Sequence, residues 1–370
     1  MMRCICNVCP LPAASTCTMP TKFHYNKPIT FKLNRKLNLS VFMFFETNSD
    51  LSDRKDRFPV LFEVVPPAKG NEEKRLKQHT EYLEKLFREV EVDALNLPEI
   101  QDESKKSDKG KRTSPYKQRI SPRRYAHLLS QRFDTEFIIN RVCVKQPGGE
   151  LENWLLETHD EYNIKNIIFV GGESSKVRYN GPSVSGGNKL VTRYLNRGRL
   201  RHNEGEATPT DFTVGNICIP TRRRNDYDEP ERMFAKYKAG ADFFTTQIIT
   251  EAETPISLMK DFSELLEEES EDPPTLFWSF SPISSQKDIN FLRWLGVHIP
   301  DLTEKLILGS SNPASASLDV AQTVWEKMLD FNSRLPVSFP MGVNISVMGL
   351  RNFENGIHLA KDLNMVWESD

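Results

Sequence analysis

The folded part of the chain begins with the sequence Val60-Leu61-Phe62-Glu63-Val64-Val65-Pro66-Pro67. Its first six residues are rich in β-branched and aromatic side chains, so they predict a β-strand. Two successive prolines cannot donate hydrogen bonds to a sheet, so the strand stops just past Glu63. An ionised carboxylate in an apolar strand is costly. Glu63 therefore has either a buried partner, such as an arginine, or a raised pKa that suits it to chemistry.

Short apolar runs of this kind recur along the chain and alternate with longer amphipathic segments. The predicted strands are residues 60–65, 92–97, 136–144, 166–170, 212–217, 243–248, 275–280 and 343–347. The predicted helices are residues 72–90, 122–132, 150–162, 187–197, 230–239, 255–269, 286–295, 318–333 and 353–363. Eight strand-helix units predict an α/β fold, the (β/α)8 TIM barrel. A doubly wound open sheet is the alternative, but no G-x-G-x-x-G motif follows the first strand.

We assign the barrel to residues 58–370 and treat residues 1–57 as an N-terminal extension, either disordered or a targeting segment. Before Glu46 the extension has no Asp or Glu and six Lys or Arg residues, a composition typical of organellar transit peptides. The expected location is the cytoplasm, or a plastid or mitochondrial matrix if the segment directs import. Four of the six cysteines fall in this extension, at Cys4, Cys6, Cys9 and Cys17. We expect no disulfide framework, because only Cys143 and Cys218 remain for the fold. We expect no zinc site either, because no second C-x-x-C pair with finger-like spacing accompanies the four.

The bulk composition indicates an ordinary soluble protein, with 38% hydrophobic and 27% charged residues among 370. The formal net charge of -2 argues against general nucleic-acid binding. No apolar run approaches the roughly 20 residues that a membrane span requires. We therefore expect neither nucleic acid nor a membrane as a partner, and the sequence leaves the oligomeric state open.

The positive charge is concentrated in loops that follow predicted strands. Residues 101–124 carry nine Lys or Arg against three Asp or Glu, and we interpret them as a basic loop insertion after the second strand. Lys176, Arg178 and residues 222–224 follow the fourth and fifth strands. These loops share the C-terminal face of a barrel, where barrel enzymes keep their sites. A positive rim there suits an anionic substrate or cofactor.

Side chains at the C-terminal ends of barrel strands are the candidates for the site. They are Glu63, Glu99, Arg141, Glu173, Thr246, Gln247 and Asn344. Gln247 offers both a donor and an acceptor, which suits the amide edge of a heterocycle, although it could equally cap a loop.

Two motifs, Phe62-Glu63-x-x-Pro66-Pro67 and Ala239-Gly240-Ala241-Asp242 leading into Thr246-Gln247, resemble the methylenetetrahydrofolate reductase family. The resemblance covers most of residues 58–370. It implies a (β/α)8 barrel that reduces 5,10-methylenetetrahydrofolate to 5-methyltetrahydrofolate, with NAD(P)H as hydride source and bound FAD as relay. It also implies that Glu63 protonates the folate and that Gln247 holds the pterin edge.

The chain departs from the family pattern near the implied cofactor. Gly171, Gly172 and Glu173 align with an Arg-Gly-Asp sequence whose aspartate lies near the flavin in the family, and Arg141 stands where a histidine is common. The resemblance therefore implies cofactor contacts at Arg141, Gly172 and Glu173, with Glu173 also near the substrate. Direct hydride transfer from nicotinamide to folate, without flavin, is compatible with these departures.

Three functional hypotheses follow from the sequence. The first is a folate-reducing oxidoreductase of one-carbon metabolism, serving tetrahydrofolate interconversion and methionine biosynthesis. The second keeps the barrel but transfers a methyl group to or from a reduced folate within a larger methyltransferase system. The third is a folate- or nucleotide-binding barrel without catalysis, since one fold hosts many functions.

Overall fold

The structure is a computed structural model that describes residues 57–102, 116–172, 178–222 and 228–365. Within them, eight parallel strands pair in chain order and close into a barrel through pairing of the first strand with the eighth. The strands are β1 (Val60–Val64), β2 (Ala94–Pro98), β3 (Glu136–Val142), β4 (Asn166–Val170), β5 (Thr213–Cys218), β6 (Phe243–Thr246), β7 (Thr275–Phe280) and β8 (Met341–Val347). The predicted (β/α)8 architecture is confirmed.

Ten helices surround the barrel in the described part of the chain. They are α1 (Glu72–Glu89), α2 (Pro122–Ser130), α3 (Gly148–Asp160), α4 (Val184–Arg193), α5 (Glu229–Lys238), α6 (Glu253–Glu268), α7 (Gln286–Leu295), α8 (Asp301–Leu308), α9 (Pro313–Asn332) and α10 (Phe353–Asn364). Helix α8 was not predicted from the sequence. It lies with α7 and α9 in the long connection between β7 and β8, where a separate apolar cluster includes Ile289, Leu292 and Ile307.

The alternation of side chains along the strands divides the core into two parts. Every second residue of each strand packs outward against the helices, in a large apolar cluster that includes Val60, Phe62 and Val64 of β1. The residues between them fill the lumen. Its lower layer is apolar and consists of Leu61, Ala94, Ile138, Ile168, Phe243 and Phe277, with partly buried Val170 and Ile217 packed against it. Apolar side chains therefore fill the lumen below the C-terminal ends of the described strands.

Two glycines allow close packing around β5 and β6. A Cβ atom at Gly215 would lie 2.4 Å from the Phe243 ring, so only glycine leaves room for that ring in the lumen. Gly240 follows α5 with a φ of 105°, a left-handed conformation that favours glycine where a helix ends. These two glycines therefore let the chain pack closely where β5 and β6 meet.

The ends of the barrel chain are joined next to β1. Arg57 pairs with Met365 in an isolated bridge, and its guanidinium contacts Asp93 at 2.7 Å and Glu91 at 2.6 Å. Residues 1–56, with the four clustered cysteines, lie outside the described residues, as does most of the basic insertion after β2. The C-terminal end of that insertion is described, and its residue Arg119 forms an isolated bridge with Ala68, close after β1.

Candidate active site

Glu63 and Gln247 line one cavity, of about 160 Å³, at the C-terminal face of the barrel. The described residues around it are Glu63, Ile217, Ile219, Thr245, Thr246, Gln247, Ile248, Ser279, Leu295, Asn344, Ser346 and Met348. A cavity of this size has room for several water molecules. The structure thus brings together the two residues that the sequence places on distant strands.

The position of Glu63 in the lumen follows from strand register. Leu61 belongs to the apolar lumen layer, so Glu63, two residues later, faces the same interior one step closer to the C-terminal face. In the sheet Glu63 lies opposite Asn96 of β2 and Ser346 of β8. Its neighbours are therefore uncharged polar side chains rather than the arginine that the sequence left as an alternative.

Burial controls the protonation of Glu63. Desolvation raises the pKa of this carboxyl from 4.5 to about 7, and hydrogen bonds with Ser346 and Asn344 offset the rise only in part. No charged side chain other than Glu63 lines the cavity among the described residues. A carboxyl in this state holds a proton near neutral pH and can donate it, which is the requirement for a general acid.

Asn344 joins the polar side chains on one side of the lumen. Its Nδ2 donates to Ser279 Oγ at 2.9 Å and makes a longer contact with Ser346 Oγ at 3.5 Å. Its Oδ1 accepts from Asn96 Nδ2 at 3.3 Å. The network spans β2, β7 and β8, so it fixes the amide that also contacts Glu63.

Gln247 follows β6 directly and lies at the rim of the cavity. Its Nε2 donates to the Leu295 carbonyl at 3.3 Å, and its Oε1 accepts from the Ile248 amide at 3.0 Å. The side chain is thus held by α7 and by its own loop, as the loop-capping interpretation expects, while it still faces the cavity. Both roles are compatible in this geometry.

Arg141 and Glu99 lie outside the cavity and bind each other. Arg141 lies three residues after the lumen residue Ile138, so its side chain points to the opposite face of the strand, away from the lumen. Its guanidinium lies 4.4 Å from the Trp154 ring centre. Its Nη1 contacts Glu99 Oε1 at 2.6 Å, and Glu99 Oε2 accepts from the Val142 amide at 3.0 Å. In the described structure this arginine is committed to an internal ion pair.

Of the other positions implied for a cofactor, Gly172 is described and does not line the cavity. Gly172 lies just after β4, and a Cβ atom there would come within 2.1 Å of the Tyr179 ring, which covers it. Glu173 lies outside the described residues. Among the described residues, Arg141 and Gly172 lie outside the lining of the cavity that holds Glu63.

The predicted positive rim is partly neutralised where it can be described. Arg222 Nη1 contacts Glu229 Oε2 at 3.0 Å, and Lys236 lies 3.6 Å from the same buried carboxylate. Arg223 and Arg224, Lys176 and residues 103–115 lie outside the described residues. Where the chain is described, no group of three His, Cys, Asp or Glu side chains could hold a metal ion. None of its described helices is both long enough and apolar enough to cross a bilayer.

The sequence did not single out three polar cavity residues, Thr245, Ser279 and Ser346. Thr245, Ser279 and Ser346 lie two residues from Gln247, Phe277 and Asn344 respectively, so their side chains face the lumen as well. Counting back in steps of two from the strand ends would have found them. Thr246, which was a candidate, instead uses its Oγ1 to accept the Ser279 amide at 2.8 Å.

No protein-family model matches the chain, and no curated protein matches it. Solved structures do match. A protein from Clostridium thermocellum that binds two copies of 5-methyl-5,6,7,8-tetrahydrofolic acid superimposes with a TM-score of 0.66 at 19% identity, over 84% of this chain and 96% of that one. The long-chain alkane monooxygenase LadA gives a TM-score of 0.49 at 10% identity, over 83% and 91% of the two chains. Dihydropteroate synthase from Xanthomonas albilineans gives a TM-score of 0.42 at 10% identity, over 82% of this chain and 91% of that one. The first likeness shows a shared barrel fold.

Proposed function

We propose that this barrel is an oxidoreductase that reduces 5,10-methylenetetrahydrofolate to 5-methyltetrahydrofolate with NAD(P)H. The observation that carries the proposal is the pairing of Glu63 and Gln247 in one cavity, with the Glu63 pKa near neutrality. The folate-binding protein from Clostridium thermocellum adds support, because a barrel of this shape accommodates a reduced folate there.

Glu63 would act as the general acid. The five-membered ring of the substrate opens when a carbon-nitrogen bond breaks, and the departing amine leaves poorly unless it is protonated. Glu63 gives its proton to that nitrogen, an iminium ion forms, and Glu63 becomes a carboxylate. The hydrogen bonds from Ser346 and Asn344 stabilise that carboxylate until solvent returns the proton.

Gln247 would hold the pterin edge. To do so, its amide exchanges the contacts with Leu295 and Ile248 for a donor and acceptor pair on the ligand. On the β5 side of the cavity, Ile217 and Ile219 offer an apolar surface for the face of the ring.

Direct transfer of hydride from the nicotinamide to the iminium carbon needs no contact from Arg141 or Gly172, neither of which lines the cavity. A bound flavin would instead relay the two electrons, and the chain would then use residues other than these two. The colour of the purified protein separates the routes, since only a flavoprotein is yellow.

The test is to incubate the purified protein with 5,10-methylenetetrahydrofolate and either NADH or NADPH. We expect loss of nicotinamide absorbance and formation of 5-methyltetrahydrofolate in equal amounts, identified by mass spectrometry. A folded protein that consumes neither nicotinamide would overturn the reductase proposal. Folate binding without turnover would then favour the non-catalytic barrel, and folate-dependent transfer of a methyl group would favour the methyltransferase partner.

A further inference from the structure

The Thr245 hydroxyl is a buried polar group in the cavity wall, and no described residue forms a hydrogen bond with it. The residue is 1% exposed and lies on β6, and its Oγ1 has no partner among the described residues. An unpaired buried hydroxyl carries a desolvation cost, so native proteins seldom retain one without a partner. Because Thr245 lines the cavity, its partner is a molecule in that cavity, either water or a ligand that displaces it.

The neighbouring polar groups in the wall are already paired. Ser279 Oγ accepts from Asn344, Thr246 Oγ1 accepts from the Ser279 amide, and Gln247 binds its own loop. On the other side, Thr245 lies opposite Ile217 of β5, whose side chain has no polar atom. Thr245 thus lies at the boundary between the polar residues of β6 and β7 and the apolar side chain of Ile217.

Other orphaned side-chain atoms in the described barrel do not share this position. Asn96 Oδ1 and Asn140 Oδ1 are also unpaired, but neither residue lines the cavity. Thr275 Oγ1 is unpaired and 1% exposed too, but it begins β7 at the opposite end of the barrel. Thr245 alone combines an unpaired hydroxyl with a place in the described lining of the cavity shared by Glu63 and Gln247.

We propose that Thr245 is a ligand-binding residue whose hydroxyl forms a hydrogen bond with a polar edge atom of a planar heterocycle. For the identity of that heterocycle, the pterin ring of a reduced folate, the inference rests on the proposed function. One ring face lies on Ile217, and the edge spans from Thr245 toward Gln247. The hydroxyl can donate or accept, so it selects for a polar edge over an apolar ring of the same shape.

The test compares Thr245→Val with Thr275→Val as the matched control. Both changes replace an unpaired buried hydroxyl by a methyl group of similar size. We expect both ligand-free variants to fold, with melting temperatures within about 4 °C of wild type, because the change removes one hydroxyl and keeps the size of the side chain. Only Thr245→Val should weaken the binding of 5-methyltetrahydrofolate, by about tenfold in titration calorimetry. Thr245→Ser, which keeps the hydroxyl, should bind within about threefold of wild type.

The outcomes separate this inference from the proposed function. Wild-type binding together with equal binding by Thr245→Val would overturn the role of Thr245 and leave the folate site standing. Equal weakening of binding in Thr275→Val would also contradict it, because the effect would then come from the fold and not from a contact with the ligand. If wild type itself does not bind 5-methyltetrahydrofolate, the proposed function and the pterin assignment fail together.

Discussion

Replacing Glu63 by glutamine should make the protein more stable, and more so at higher pH. Glutamine removes the charge but keeps the size and most of the hydrogen bonding of the side chain. The folded state raises the Glu63 pKa from 4.5 to about 7, so the carboxyl stabilises the fold fully only below its unfolded pKa. That contribution is lost as the pH rises through about 7.

The magnitude follows from the size of the pKa rise. Each pH unit between the two values corresponds to about 1.4 kcal/mol of unfolding free energy, which sets an upper limit of about 3.5 kcal/mol. Glu63 keeps partial exposure through the cavity, so solvent screening reduces the expected difference to about 1–3 kcal/mol. Glu63→Gln and wild type should therefore be of similar stability at pH 4.5 and should differ by this amount at pH 8.

The assay is urea unfolding of both proteins, followed by circular dichroism at several pH values from 4.5 to 8. Asp242, whose pKa burial raises to about 6, also makes wild-type stability fall with pH. Its effect is common to both proteins and cancels in the difference. A difference that stays flat, or that favours wild type at pH 8, would show that Glu63 is not the desolvated acid described here.

Further predictions concern the groups around this acid and the scaffold. Asn344→Leu removes a donor to the Glu63 carboxylate, so the titration midpoint of Glu63, followed by carboxyl infrared absorption, should rise by about one pH unit; an unchanged midpoint would contradict the contact. Gln247→Ala should weaken binding of 5-methyltetrahydrofolate by about tenfold in calorimetry with little effect on folding, and undiminished affinity would limit Gln247 to loop capping. Glu152 is fully buried and accepts the backbone amides of residues 201–203, so Glu152→Ala should lower the urea-derived unfolding free energy by about 3 kcal/mol. A loss well under 1 kcal/mol would show that water replaces the carboxylate.

The strands were predictable because their apolar, β-branched runs are short and separated by amphipathic segments. Strand β7, Thr275–Phe280, has the predicted bounds, whereas β6 ends at Thr246 rather than residue 248. Helix α4 begins earlier than predicted because Ser183 caps it, with its hydroxyl accepting the Gly186 amide. Helix α8 escaped prediction because two of its large apolar residues, Leu302 and Leu306, face solvent and obscure its amphipathic pattern.

A site residue was predictable where its residue type is unusual for its surroundings. It was less predictable where only the alternation of side chains along a strand decides whether it faces the lumen. A glutamate in an apolar strand drew attention to Glu63 from sequence alone. Position near a strand end made Arg141 a candidate, but alternation along β3 turns it toward Trp154 and away from the lumen. Thr245 and Ser279 are ordinary strand residues, and only the closed barrel shows that they share a cavity with Glu63.

The most direct test of the central claim is a comparison of Glu63→Gln with wild type in two measurements on the same preparation. The variant should bind 5-methyltetrahydrofolate within about threefold of wild type, because shape and polarity are retained. Its NAD(P)H-dependent reduction of 5,10-methylenetetrahydrofolate should fall at least about 100-fold, because the proton donor is gone. Turnover equal to that of wild type would contradict the assignment of Glu63 as the acid.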